Sequence, residues 1–435
     1  MRDVILMSLV LVLAAMALRR PWIGVMLWTW LSIMNPHRFT WGWAHDAPLA
    51  AIAAGSTLVG LLLTRERNSP FKGGAVAVFV LFTGWVTLSW SLGLDPARDY
   101  PQWDKVMKIN LMVVVALALL HSRLHIMVLV WVCALSLALL GVKGGLYTIA
   151  TGGDGRVWGP PGSFIADNNE FGLAMVMTIP LLRFLQMQVE SMWVRHGLTG
   201  AMLLCAAAAL GTQSRGALLA IVAMTVVLWW RGRSRWLGGA VMVAAAVALV
   251  SFMPEQWTAR MESIDDFRED GSAMGRISAW HTAWGVAMNY PFGAGFNVAR
   301  PELFAAYSPY YGGTVHAAHS IYFQVLGNHG FVGLALFLAL WVITWRNATW
   351  LRKSTGGRSE TRWCADLGAM CQVSLVGYAV GGAFLSLSYF DLPYNIMAAV
   401  VLTRVWVMSR AWEREPAYGP RWGLLLGPAT RVAKG

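Results

Sequence analysis

Charge is scarce in this chain. Only 13% of its 435 residues are charged, about half the roughly 25% of an ordinary soluble domain. With 57% hydrophobic residues, that shortage excludes a soluble globular protein and a disordered one. Cysteine is scarce too: Cys133, Cys205, Cys364 and Cys371 are the only four. None forms a C-x-x-C pair, so neither a zinc site nor a disulfide framework is indicated. In apolar runs such cysteines read as small packing residues. No repeat of 20–50 residues is visible, which excludes a solenoid and gives no support to an inverted-repeat transporter.

What is abundant is apolar and aromatic: 24 tryptophans and 17 phenylalanines, too many for a soluble surface. A helix crosses ~30 Å of hydrocarbon with about 20 residues. Thirteen apolar runs lie near 4–18, 21–34, 47–64, 73–92, 106–120, 124–146, 171–189, 198–212, 215–230, 237–253, 320–345, 366–388 and 392–409. The first two are short, so the expectation is an all-α polytopic membrane protein with about 12 transmembrane helices. Residues 1–18, followed by Arg19 and Arg20, read as a retained span or signal-anchor, because no small-residue cleavage site follows a basic segment.

The net charge is +12, from 34 Lys+Arg against 22 Asp+Glu. In a soluble protein it would suggest nucleic acid; here it labels one side of a membrane. Arg65-Glu66-Arg67 with Lys72, His121–His125, Arg195-His196, Arg231–Arg235, residues 346–362 and the tail from Arg404 are all basic connections. By the positive-inside rule they face the cytoplasm. The alternate connections, 35–46, 93–105, 147–170, 213–214 and 254–319, then face out. The last is the longest, with seven acidic residues, four basic ones and no lysine. Its stretch Ile277 to Met288 is amphipathic and suited to a short helix on the membrane surface. The expected organisation is N-terminal spans over 1–146, central spans over 147–253, the long outer loop 254–319, C-terminal spans over 320–409 and a basic tail 410–435.

Polar groups at the outer membrane face are the candidates for function. Arg215 lies in the turn Gly211-Thr-Gln-Ser-Arg-Gly216. It is either a snorkelling anchor or an anion ligand at a helix start, where free N–H groups add positive potential. A guanidinium suits phosphate because it donates bidentately and stays charged. His316 and His319, followed by Ser320, have the i, i+3 spacing that shares a helical face if the helix starts early. A histidine at this interface titrates near ambient pH and suits a general base. His329, deeper in the same span, reads as structural. Arg276, followed by Ser278, Trp280 and the Pro291–Gly295 turn, is a surface arginine or a second phosphate ligand. Arg156 precedes Trp158-Gly-Pro-Pro-Gly162, and Asp167-Asn168-Asn169-Glu170 caps the next span, where Asp or Asn can also be a plain N-cap. Lys105 and Lys108, beside Asp104, are further phosphate candidates. Divalent-metal sites need paired acidic residues. The early outer connections offer only isolated Asp46, Asp95, Asp99 and Asp104, and the only E-x-E, Glu413 and Glu415, lies in the tail. The expected chemistry is metal-free, with no cofactor.

Ser-Arg-Gly at 214–216, the series Arg276, Trp280, Pro291, Gly293 and Gly295, and His319-Ser320 with Gly330 and Gly333 resemble the O-antigen ligase and polymerase superfamily over roughly residues 155–390. Asn35-Pro-His-Arg38 and Trp41-Gly-Trp43 resemble its exosortase-associated O-glycosylation ligase subgroup. The chain departs from the usual pattern at Ser320, where many members have Asn, and at Asn328-His329, where an acidic residue is common. The resemblance implies a metal-independent membrane glycosyltransferase fold in the bacterial inner membrane. It implies an inverting transfer of O-antigen from undecaprenyl pyrophosphate to a sugar hydroxyl of lipid A–core, facing the periplasm. Carried over by motif, His319 is the base and Arg215 and Arg276 hold the pyrophosphate, with His316, Arg156, Asp167, Asn168, Lys105 and Trp280 in support. Expected partners are the lipid-linked donor, the lipid A–core acceptor and membrane lipid, without nucleic acid, for a monomer. The same donor chemistry serves an O-antigen polymerase or a protein O-oligosaccharyltransferase. A lipid-linked glycan flippase is a further alternative, which the scarcity of mid-span cations disfavours.

Overall fold

The structure, a computed structural model, describes residues 1–231 and 271–415. Among them every regular element is helical and no strand occurs. The helices are α1 (Arg2–Arg19), α2 (Pro21–Met34), α3 (Leu49–Leu63), α4 (Gly74–Ser91), α5 (Pro96–Leu119), α6 (Arg123–Ala150), α7 (Asn168–Gln188), α8 (Met192–Gly211) and α9 (Arg215–Arg231). After residue 270 come α10 (Gly271–Asn289), the short α11 (Pro301–Tyr307), α12 (Ile321–Ser354), α13 (Arg362–Gly381) and α14 (Asp391–Met408). The run 237–253, the start of the outer loop and residues 416–435 of the tail lie outside the described residues.

Among the described residues six helices are long and apolar enough to cross a membrane: α4, α6, α7, α8, α12 and α13, the last counted with its 3₁₀ extension to Phe384. Three more, α2, α3 and α9, are apolar but shorter. One of the expected runs falls outside this count for a physical reason. The apolar run at 106–120 belongs to a helix that begins at Pro96, and its first turns carry Arg98, Asp99, Asp104, Lys105 and Lys108. The outer connection expected over 93–105 shrinks accordingly to a few residues before Pro96. Asp95 caps that helix by accepting from the Arg98 N–H.

The centre of the bundle is α7, packed against α6, α8, α9 and α13. Small residues allow the closest approaches, as between helices in lipid. Gly141 and Gly145 of α6 lie so near Cys205 and the Leu204 backbone of α8 that a Cβ at either would collide. All four cysteines are free and buried. Helices α1–α3 form a side cluster joined to α5 and α6 through α2. The start of α1 sits at the same end as residues 42–44, since Asp3 accepts from the Ala44 N–H.

Helix α12 is broken at Gly330, whose φ of 67° lies outside helical space. A break deep in an apolar bundle strands carbonyls that water cannot reach. Here each finds a donor. Gly327 O accepts from Ala294 N–H and Asn328 O from Gly295 N–H, both at 2.9 Å. His329 O accepts from the Trp85 indole at 2.8 Å. The Pro291–Gly295 turn thus lies against the break, where Gly293 (φ 74°) and Gly330 leave no space for side chains. Asp99 anchors the far side of this turn, accepting from Phe296 N–H at 2.8 Å and from Arg300 at 3.5 Å. His329 is fully buried, bridged between Ser89 Oγ at 2.8 Å and Tyr389 Oη at 2.6 Å.

Candidate active site

The starts of α5, α7, α9, α12 and α14 and the ends of α2, α4, α6, α8 and α13 meet at one end of the bundle. Basic connections around Lys72, His121 and Arg414 meet at the other, where Asn68 N–H donates to Ala118 O and a cavity of about 610 Å³ opens.

At the first end, α12 begins at Ile321, with Ser320 as its N-cap accepting from the Phe323 N–H. The two histidines therefore do not share a helical face; residues 316–319 precede the helix as an irregular segment. His319 adopts φ 41°, a left-handed conformation uncommon for a non-glycine residue. The segment is held from outside. The Trp280 indole donates to Ala318 O at 2.7 Å, and its ring stacks on Phe323 with centroids 5.0 Å apart. One turn earlier on α10, Gly275 lies against the His316 ring with no room for a Cβ. Arg276 follows, and its charge acts on His319.

Asp167 caps α7, accepting from the Asn169 backbone N–H at 2.9 Å and from its side chain at 2.8 Å. Asn168 is buried and donates to Thr212 O at 2.7 Å, which ties α7 to the turn carrying Arg215. That turn is tight, with Gln213 at φ 54° and Ser214 Oγ accepting from Ala217 N–H at 3.3 Å. Gly216 packs on Phe384 and Leu385. The next residue, Ser386, donates its N–H to Glu170 Oε1 at 3.3 Å. Glu170 is buried, and the same Oε1 lies 4.0 Å from His319 Nδ1.

Electrostatics favour an unprotonated His319. Burial pushes its pKa below the ordinary histidine value and the Arg276 guanidinium pushes it further, against a smaller opposing pull from Asp167. Asp167 is itself held low: burial would raise it, but hydrogen bonds from Glu170 and Asn169 outweigh that.

Arg156 and Lys105 fall in a neighbouring group around residues 155–164. Val157 N–H donates to Gly211 O at 3.0 Å, so this loop touches the Arg215 turn. Lys105 Nζ reaches Gly162 O at 3.4 Å and lies over the Phe164 ring. Arg156 lies over Trp158, and Lys143 over Phe39. Between the last two is a crevice of about 270 Å³ with an apolar floor of Leu140, Gly144 and Phe171. The isolated early acids have other occupations: Asp99 and Asp95 as above, Asp104 with Lys108 at 2.5 Å, and Asp46 with Arg38 and His45. Among the described residues no three of His, Cys, Asp and Glu converge as a metal-binding group.

Sequence reasoning reads Glu170 only as part of the group that caps α7 and does not single out Lys143 for the site. An acid in the first turn of a helix is an ordinary dipole partner, and nothing local says that it faces a histidine from 149 positions away. Lys143 sits in an apolar run, and its neighbour in space, Phe39, is 104 positions away in sequence.

The described residues form a helical bundle with six helices apolar enough to cross a membrane, and a histidine, two arginines and a carboxylate gather at one end. Residues 200–338 match the model of the O-antigen ligase family. Residues 1–189 match a second family, described as of unknown function (DUF5935). No curated protein matches the chain.

Proposed function

We propose that the protein transfers O-antigen from undecaprenyl pyrophosphate to a sugar hydroxyl of lipid A–core at the periplasmic face of the bacterial inner membrane. The observation that carries this reading is His319, held in a left-handed conformation at the end of the bundle, where burial and the Arg276 guanidinium lower its pKa. A neutral imidazole takes the proton of the acceptor hydroxyl as its oxygen attacks the anomeric carbon. The bond from that carbon to the pyrophosphate oxygen breaks on the opposite face, which inverts the centre. Arg215 and Arg276 neutralise the charge that grows on the leaving pyrophosphate, so neither a general acid nor a metal is required in this scheme. The crevice at Lys143 and Arg156 supports an acceptor role, since it pairs cations with aromatic faces beside the Arg215 turn.

The test is transfer by purified protein from lipid-linked donor to core lipid, with and without chelator. His319→Ala should abolish product and leave insertion intact. Full capping by that variant overturns the assignment of the base. A product of lengthened donor or of glycosylated protein, without capped core lipid, would instead identify a polymerase or a protein glycosyltransferase.

A further inference from the structure

We infer that Glu170 is a positioning residue for His319: its carboxylate receives the Nδ1–H of the imidazole and so leaves Nε2 unprotonated for the acceptor hydroxyl. This rests on the reading of His319 as base.

The geometry leaves two complementary groups facing each other. Glu170 Oε1 and His319 Nδ1 are 4.0 Å apart. Nδ1 is buried without a hydrogen-bond partner among the described residues, while the Glu170 carboxyl also pairs with Asp167. A buried donor or acceptor left unpaired is costly, and a side-chain shift of about 1 Å brings this pair to the 2.7–3.2 Å of an ordinary N–H···O bond. The histidine side chain nevertheless keeps 34% exposure. With Nδ1 sealed, the open edge of the ring is the other one.

The surrounding charges leave Glu170 as the acceptor. Arg276 on α10 has only donors. His316 is on the same segment as His319. Asp167 on α7 is near, but its Oδ1 already receives both Asn169 donors. The 384–388 segment presents Ser386, whose N–H goes to Glu170 itself, and Ser388, whose hydroxyl is bonded to Gln324 and Ile321 O. A helix-dipole role alone does not account for Glu170, because such a carboxylate works equally well in solvent, whereas this one is 6% exposed. A carboxylate on Nδ1 sets the tautomer and stabilises the imidazolium formed as the proton arrives, the same division of labour seen wherever a buried acid orients a catalytic histidine.

The experiment compares wild type, Glu170→Gln, Glu170→Asp and His319→Ala, full-length and in lipid nanodiscs, by rate against pH. For Glu170→Gln we expect kcat to fall roughly 10- to 100-fold, part of the 10²–10⁴ that general-base catalysis supplies. KM for the donor should stay within about two-fold, since the pyrophosphate ligands are untouched. Losing the ionisable carboxyl that Glu170 shares with Asp167 should move the acid limb of the profile to lower pH, and Glu170→Asp should keep the wild-type limb. A purely structural role moves no limb. If Glu170→Gln proves unstable, the pH midpoint for carbethoxylation of His319, read by peptide mass, is compared between wild type and Glu170→Asp with thermal melting as control. Coincident wild-type rate and limb in Glu170→Gln, or in the fallback an Asp variant that loses the wild-type midpoint, overturns the inference. Activity in His319→Ala overturns the reading beneath it instead.

Discussion

The indole N–H of Trp280 donates to the carbonyl of Ala318 at 2.7 Å, one residue before His319. A left-handed non-glycine residue stores on the order of 1–3 kcal/mol and persists only where its surroundings over-determine it. Trp280 on one side and the Ser320 cap on the other supply that constraint. Trp280→Phe keeps the stack on Phe323 and removes only the donor. It should lower the transfer rate about 5- to 10-fold, equivalent to roughly 1–1.4 kcal/mol, the scale of one lost hydrogen bond. Steady-state rates alongside thermal melting check this; a fall in melting temperature with an unchanged rate would count against a positioning role for Trp280.

Arg215 opens α9 from a turn that Asn168 and the 384–386 segment hold in place. Arg215→Ala should raise KM for the lipid-linked donor and lower kcat, a combined loss of about 100-fold or more for a charge-assisted ligand of a leaving group. Arg215→Lys should recover little, because one ammonium cannot reproduce the planar fork. A lysine variant with near-wild-type kcat/KM would show that charge alone matters there.

The pH profile should carry the sign of the His319 shift. Burial and then Arg276 lower its pKa, so the neutral base is already dominant below the ordinary value of about 6.5. Activity should rise with pH along a limb centred below that value and be flat through neutrality. A limb centred above it would mean that the base is charged at rest.

Gly330 carries φ 67°, and a Cβ there would lie 2.4 Å from Pro291 O. Gly330→Ala should therefore separate the broken helix from its Pro291–Gly295 turn and lower stability by about 1–3 kcal/mol from backbone strain alone, before the clash is counted. Thermal melting in detergent reads this, and an unchanged melting temperature would refute the account of the break.

Replacing Arg156 and Lys143 together by Gln should raise KM for the core-lipid acceptor several-fold and leave KM for the donor unchanged. The crevice between them offers cation–aromatic pairs of the kind worth about 0.5–1 kcal/mol each at exposed sites. A donor effect of equal size would reassign the crevice to the pyrophosphate lipid.

Much of this was legible along the chain because it depends on local sequence. Apolar run length dictates which helices can meet lipid, and basic connections dictate which ends belong together. The turn at 211–216, the helix over Ile277 to Met288 and the cap at Asp167 are set by neighbours a few residues away. Long-range partners were not legible. The start of α5 at Pro96 goes unseen because its charged first turns interrupt the apolar run, while Asp99 is neutralised by Arg300, 201 positions on. The two histidines share no helical face because Ser320, not an earlier residue, caps α12.

Composition and patterning by themselves determined that the chain is a helical membrane protein, and its motifs pointed to the family whose model matches residues 200–338. Only the tertiary structure decided what His319 faces. Helix periodicity sees four residues ahead, while the carboxylate comes from α7 and the guanidinium and the indole near this imidazole come from α10. Their placement follows from packing at the end of the bundle, where the buried polar atoms must find one another.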